Sequence, residues 1–273
     1  MPIFLEYFLS MGSYFVILLG VIHFMRKHGV ASHYIWIASL LTIPFWLGSV
    51  SGWFRWVKML SVLVPVIILG FTRLAQSSER KGIYNLFKGN WVLYFFYAVI
   101  TMNILEATLK DVALGHYLNA LPGFILIITV PMPIKYWEVS KEKSRDILCY
   151  STYTWSILYT TWNACFVYGE SPAYFFSSCC ILMAAMIYPM LAKKPELYMT
   201  ARIYSLITHL IIRASLPLFF LNVMDASQFF SPVILTNWGV FNAVFGLVYL
   251  VWYAVMIKKN AYKTEILPLH QSA

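Results

Sequence analysis

Residues 206–222 read LITHLIIRASLPLFFLN. The run is long enough to cross a bilayer, carries no acidic residue and holds Arg213 near its middle. A guanidinium in hydrocarbon costs several kcal/mol unless a counter-charge answers it. Glu106, the carboxylate set well inside another apolar run, is the expected partner. One ionisable pair thus marks an otherwise apolar chain as the holder of a polar site.

The rest of the chain agrees with lipid as its solvent. Of 273 residues, 60% are hydrophobic and 11% charged, against roughly 25% charged in soluble domains. The 19 Tyr and 10 Trp suit membrane–water interfaces, where ring and polar tip both find a favourable medium. The expected fold is all-α: a polytopic transmembrane helix bundle forming a single domain over residues 1–273, with a short basic cytoplasmic tail from about residue 258. Glu6 near the start and the lack of a small-residue cleavage site argue for a retained first span.

Nine apolar segments can be drawn, at approximately 3–25, 34–52, 57–75, 91–113, 116–135, 148–168, 172–192, 199–221 and 232–257. Pro122, Pro131 and Pro133 predict a kink or early end in the fifth. Alternate connections, including those with Arg73 and Arg202, hold 16 of the 20 Lys and Arg residues, while the opposite side holds Arg55, Lys58 and Lys110. The positive-inside rule then puts the N-terminus outside and the C-terminus in the cytoplasm, an arrangement that needs an odd number of spans. Ile83, Leu86 and Phe87 beside Arg80 and Lys81 predict an amphipathic turn on the inner leaflet. Glu138 to Asp146 reads as a solvated charge run.

The net charge of +9 is topological, because lipid-spanning runs separate the basic clusters and no nucleic-acid-binding motif accompanies them. Cys149, Cys165, Cys179 and Cys180 lack metal-type spacing and read as small buried hydrophobes, with a Cys165–Cys179 bridge open if that end faces an oxidising compartment. His23, His28 and His33, five apart, point in different directions on a helix and predict no metal site. No nucleophile elbow, phosphate loop or zinc-protease motif occurs, and the sequence names no cofactor.

Helical spacing assembles the candidate site. Asn103, Glu106 and Lys110 share one face of the fourth segment, and His209 and Arg213 share one face of the eighth. Counted along their helices, Glu106 and Arg213 lie at the same depth, roughly 10–12 Å below the outer end. Asn163 and Asn237 fall in the same outer half, with Asn242 nearer mid-depth. His209 offers proton chemistry, since an imidazole titrates near neutrality. The expected substrate-binding set is Glu106, Arg213, His209, Asn103, Asn163 and Asn237, around an outward-facing cavity.

Ser51-Gly52-Trp53-Phe54-Arg55-Trp56-Val57-Lys58 and Asn103-Ile104-Leu105-Glu106-Ala107, with Lys110-Asp111 following, resemble segments of an uncharacterised microbial family of multi-pass membrane proteins, classed as a domain of unknown function. That resemblance implies no activity, cofactor or substrate. Read from its residues, the chain is expected to be a small-solute transporter or binding protein of the cytoplasmic membrane. The alternative is a membrane-embedded enzyme acting on a lipid or lipid-linked substrate, with His209 as base and Arg213 as anion clamp. A structural or sensory subunit is a third class.

Overall fold

The computed structural model describes residues 3–50, 52–77 and 82–259. Eleven α-helices follow one another: α1 (Ile3–Lys27), α2 (Gly29–Ala38), α3 (Ile43–Trp46), α4 (Trp53–Ser77), α5 (Trp91–Ala113), α6 (Tyr117–Ile128), α7 (Tyr153–Glu170), α8 (Phe175–Ala192), α9 (Tyr198–Ser215), α10 (Phe219–Met224) and α11 (Pro232–Lys258). Between α6 and α7 lies one antiparallel hairpin, β1 (Trp137–Val139) with β2 (Ile147–Cys149), in which Glu138 faces Leu148. The architecture is therefore helical with one small strand pair. The expected basic tail lies, beyond Lys259, outside the described residues, as do Arg80 and Lys81 of the expected amphipathic turn.

Among the described residues, five helical stretches are long and apolar enough to cross a membrane: Phe4–Lys27, Arg55–Ser77, Trp91–Ala113, Pro172–Ala192 and Pro232–Lys258. Their outward faces suit lipid. On α11, Val240, Phe241, Val244, Leu247, Val248 and Val251 are all exposed, while Leu235, Gly239, Asn242, Gly246 and Tyr249 turn inward. A soluble protein seldom shows so continuous an apolar stripe. The α7 and α9 helices have 18 residues each, about 27 Å of helix, but carry polar side chains that lower their mean hydropathy. Ser156 and Thr160 of α7 and Thr200, Arg202, Ser205 and His209 of α9 are buried, so neighbouring helices rather than lipid surround them.

Four expected segments are redrawn. The eighth, 199–221, ends as α9 at Ser215: Pro217 has no N–H to continue the ladder, and the separate helix α10 takes up the chain at Phe219. The second is broken: α2 ends at Ala38, a 3₁₀ turn covers Ser39–Thr42, and α3 is one turn long. Ser39 Oγ donates to the Trp36 carbonyl at 2.7 Å and Thr42 Oγ to the Ser39 carbonyl at 2.6 Å. Such side-chain bonds compete with the helical ladder, and Pro44 cannot donate to it. The fifth shrinks to α6, whose 12 residues make about 18 Å of helix. It stops before Pro131 and Pro133, and the left-handed Ile134 (φ 64°) turns the chain into β1. The sixth begins at Tyr153 because residues 147–149 form β2; Thr152 caps α7 by accepting from Trp155 N at 3.0 Å.

The hairpin also corrects the picture of a solvated charge run. Asp146 is fully buried and accepts from Arg26 Nε at 2.8 Å. Arg73, counted above among loop cations, is 2% exposed near the end of α4. It donates to the carbonyls of Met25, Arg26 and Ser144 and to the Tyr204 hydroxyl, tying α1, α4, α9 and the hairpin together. Thr200 Oγ reaches the Ile147 carbonyl at 2.7 Å. Removing Arg73 and Arg202 from the loop count leaves the basic excess on the same side. Residues Gly82–Lys88 form a short 3₁₀ helix whose Phe87 stacks on Phe71 at 4.8 Å, with Ile83 and Leu86 exposed.

Tryptophans divide between core and boundary. Trp53 is exposed, whereas Trp46, Trp155 and Trp162 are completely buried rather than interfacial. Trp46 Nε1 donates to Ser215 Oγ at 3.1 Å, seating α3 against the end of α9. All four cysteines are free thiols, so no Cys165–Cys179 bridge forms. The α9 helix occupies the middle of the bundle, packed against α1, α4 and α8, while α11 covers α6 and α7.

Candidate functional site

Five helices border a common cavity of about 160 Å³, α8 through Ser178 and Ile181 and the other four through longer stripes. From α9 come Arg202, Leu206, His209 and Arg213, at i, i+4, i+7 and i+11, the spacing of a single helical face. From α5 come Phe96, Val99, Asn103 and Glu106; from α7, Tyr159, Asn163, Phe166 and Glu170; from α4, Lys58, Ser61 and Pro65. Pro65 lacks an N–H, so the Ser61 carbonyl is left without its helical donor. Trp137 and Ile147 of the hairpin and Thr200 of α9 line the other end.

The cavity is open at one end and closed at the other. At its mouth, Lys58 Nζ lies 3.3 Å from Glu106 Oε1, and the two side chains are 42% and 27% exposed. The far end is bounded by Trp137, Ile147, Thr200 and Arg202, each less than 8% exposed. Lys58 belongs to a helix, α4, that starts at Trp53, instead of to a turn outside it.

The expected Glu106–Arg213 ion pair does not form. Glu106 pairs with Lys58, and Arg213 lays its guanidinium over Tyr174, with Cζ 3.5 Å from the ring centroid. Glu170, another residue of the cavity wall, supplies electrostatic attraction to Arg213. The reason is azimuth: equal depth on α5 and α9 does not bring their side chains together when α4 and the α7–α8 turn offer nearer partners. Both residues nonetheless border the same cavity.

His209 is 2% exposed; its Nδ1 is 3.2 Å from the Tyr14 hydroxyl, its ring stacks on Phe220 at 4.4 Å, and its Nε2 has no protein partner. Asn163 Oδ1 accepts from Arg202 Nη2 at 3.3 Å. Asn103 lines the wall one turn from Glu106. Asn237 does not join them. It lies on the exposed face of α11 and is absent from the cavity wall, because the inward face of that helix passes through Leu235, Gly239 and Asn242 instead.

Arg202 is the residue sequence reasoning misplaced. Its nearness to Lys193 and Lys194 put it in a loop, yet it sits in the second turn of α9, 7% exposed, with Cζ 6.0 Å from the Tyr159 ring centroid. Among the described residues no carboxylate pairs with it, and both Nε and Nη1 lack a protein hydrogen-bond partner. The signal was available: 202 is seven residues before 209 and eleven before 213, so all three share a face.

A second polar group lies away from the cavity. Asp111, fully buried, accepts from Asn119 Nδ2 at 2.8 Å; Asn119 Oδ1 accepts from Asn242 Nδ2 at 2.8 Å. Thr161 Oγ donates to Asn242 Oδ1 and accepts from Trp238 Nε1. His116 Nδ1 stands 3.5 Å from Asp111 Oδ1. This chain joins α5, α6, α7 and α11; its Asn119, Asn242, Thr161 and Trp238 bonds fit a packing role, while Asp111 Oδ1 and His116 Nδ1 have no hydrogen-bond partner among the described residues.

Compared with known proteins, residues 6–272 match the profile of DUF5692, a family of unknown function. No curated protein and no solved structure matches the chain.

Proposed function

The chain belongs to the DUF5692 family, whose function is unassigned, and on that footing we propose that it is a multi-pass protein of the cytoplasmic membrane that binds a small solute in the cavity between α4, α5, α7 and α9 and carries it across. What supports the reading is one observation: residues on five helices, among them Asn103, Glu106, Asn163, His209 and Arg213, border a single hollow inside an otherwise apolar bundle. Ionisable groups within membrane helices mark solute pathways when they line a cavity. About nine spans, with the N-terminus outside, orient the Lys58–Glu106 mouth outward. In this reading Glu106 and Lys58 gate entry, Arg213 on Tyr174 sets the field at the mouth, and His209 holds or passes a proton deeper in.

Two measurements test it. In a background lacking the four native cysteines, Asn163→Cys should react with a membrane-impermeant maleimide from the outside. Counterflow uptake into proteoliposomes, run with a panel of radiolabelled amino acids, organic acids and sugars, should reveal a transported class and be lost in Glu106→Gln and Arg213→Gln, with both variants still inserted. Uptake left intact in either variant means the site is misassigned. Catalytic turnover of a lipid by the purified protein, without counterflow, would replace transport with enzymology.

A further inference from the structure

The charges bordering the cavity do not cancel. Lys58 is answered by Glu106, and Arg213 by Glu170 and the face of Tyr174. Arg202 is left at the closed end with one hydrogen bond, to the neutral Asn163, and two nitrogens without a protein partner. A guanidinium so deeply buried is held stably only when an anion meets it, since removing an ion from water costs more than a neutral amide returns. About 10 Å further along the same helical face, His209 presents its own unpartnered Nε2. The wall between them is apolar, formed by Ile181, Ile203 and Leu206. A cavity of about 150 Å³ lined by apolar side chains accommodates a benzene ring, and this one measures about 160 Å³.

We propose that the cavity binds a small organic oxyanion, a carboxylate or phosphate borne on an apolar body, with its charged end seated on Arg202 and the body lying toward His209. This rests on the reading of the cavity as a solute site and names its ligand class. Asn163 holds Nη2, which leaves Nε and Nη1 as the donors without a protein partner. The mouth pair is self-neutralised, so it admits an anion without competing for it. The oxyanion can arrive on a soluble acid or on an acidic lipid.

The test uses the full chain purified in an uncharged detergent, with radiolabelled benzoate and its neutral isostere benzamide in equilibrium dialysis. Benzoate should bind saturably and at least roughly tenfold more tightly than benzamide, because only the anion answers the guanidinium. Arg202→Gln should weaken benzoate about a hundredfold, and Arg202→Lys roughly tenfold, since an ammonium keeps the charge and loses the fork. Without ligand, Arg202→Gln should melt no earlier than the wild type, as it removes an unpaired charge; an earlier melt with undiminished benzoate binding would mark Arg202 as a packing residue. Equal binding of benzoate and benzamide, or unaltered benzoate binding in Arg202→Lys, overturns the proposal.

Lipid extraction of the wild-type protein separates the two sources. A stoichiometric acidic lipid displaced by benzoate assigns the site to a headgroup, and its absence alongside benzoate binding assigns it to a soluble acid. If neither anion binds while Glu106-dependent uptake of another solute persists, the anion site is wrong and the transport reading stands. Arg202-dependent benzoate binding with no counterflow of any solute has the opposite meaning.

Discussion

Replacing Glu106 by Gln, alone and together with Lys58→Met or Arg213→Met, measures which cation the carboxylate feels. At 3.3 Å and an effective dielectric near 20, Coulomb's law gives the Lys58–Glu106 pair about 5 kcal/mol. Lys58 is 42% exposed, so solvent screening and the entropy of holding a long side chain reduce this to about 1 kcal/mol. The Glu106–Arg213 coupling should stay below about 0.5 kcal/mol, because Arg213 is engaged by Tyr174 and Glu170. Reversible unfolding in mixed dodecyl maltoside–SDS micelles gives the stability of each single and double variant, and the double-mutant cycle isolates each coupling. High salt should shrink the Lys58 term, since that pair borders water. A Glu106–Arg213 coupling equal to or larger than Glu106–Lys58 would refute the assignment of partners and restore the pairing expected from helical depth.

Three further outcomes follow from packing and burial. Gly123→Ala should destabilise by about 1–3 kcal/mol, since its Cβ would lie 2.2 Å from Thr108 Oγ where α5 and α6 pack closely; removing that oxygen with Thr108→Ala should recover part of the loss, as read by the same unfolding assay. Asn119→Leu should cost about 2–4 kcal/mol, because it takes a donor from the buried Asp111 and an acceptor from Asn242, while Asn237→Leu, on the exposed face of α11, should stay within about 0.5 kcal/mol of wild type. Glu196, in the connection between α8 and α9, has its carboxyl raised above the ordinary range by burial, so the folded state is favoured below the ordinary carboxylate pKa and that advantage fades as pH rises through the raised value. Glu196→Gln should therefore melt higher than the wild type at neutral pH and match it in acid; equal melting curves at both would discount the burial effect.

How far the site was legible depends on what kind of relation each residue needed. Periodicity along one helix is local, so Asn103 with Glu106 and His209 with Arg213 could be read as shared faces. The same rule reaches Arg202, which was missed only because basic neighbours suggested a loop. Asn237 and Asn242 show the limit of that rule: a helix apolar all round offers no polar contrast to say which side is buried, and here the buried side carries Asn242. Lys58 was masked by a turn-like aromatic-basic run that in the folded chain is the first turn and a half of α4.

Composition and hydrophobic runs by themselves determined that the chain is helical and apolar enough for lipid, and roughly where its long helices lie, because the need to satisfy backbone hydrogen bonds within each segment acts on every run separately. Only tertiary structure decided the partners. Which cation meets Glu106, which guanidinium is left unanswered at the closed end, and that a hairpin carrying Asp146 folds back to lock Arg26 all depend on how helices rotate and lean against one another. Charges interact through distances of a few ångströms between segments far apart in the chain, and no periodicity within one segment encodes those distances.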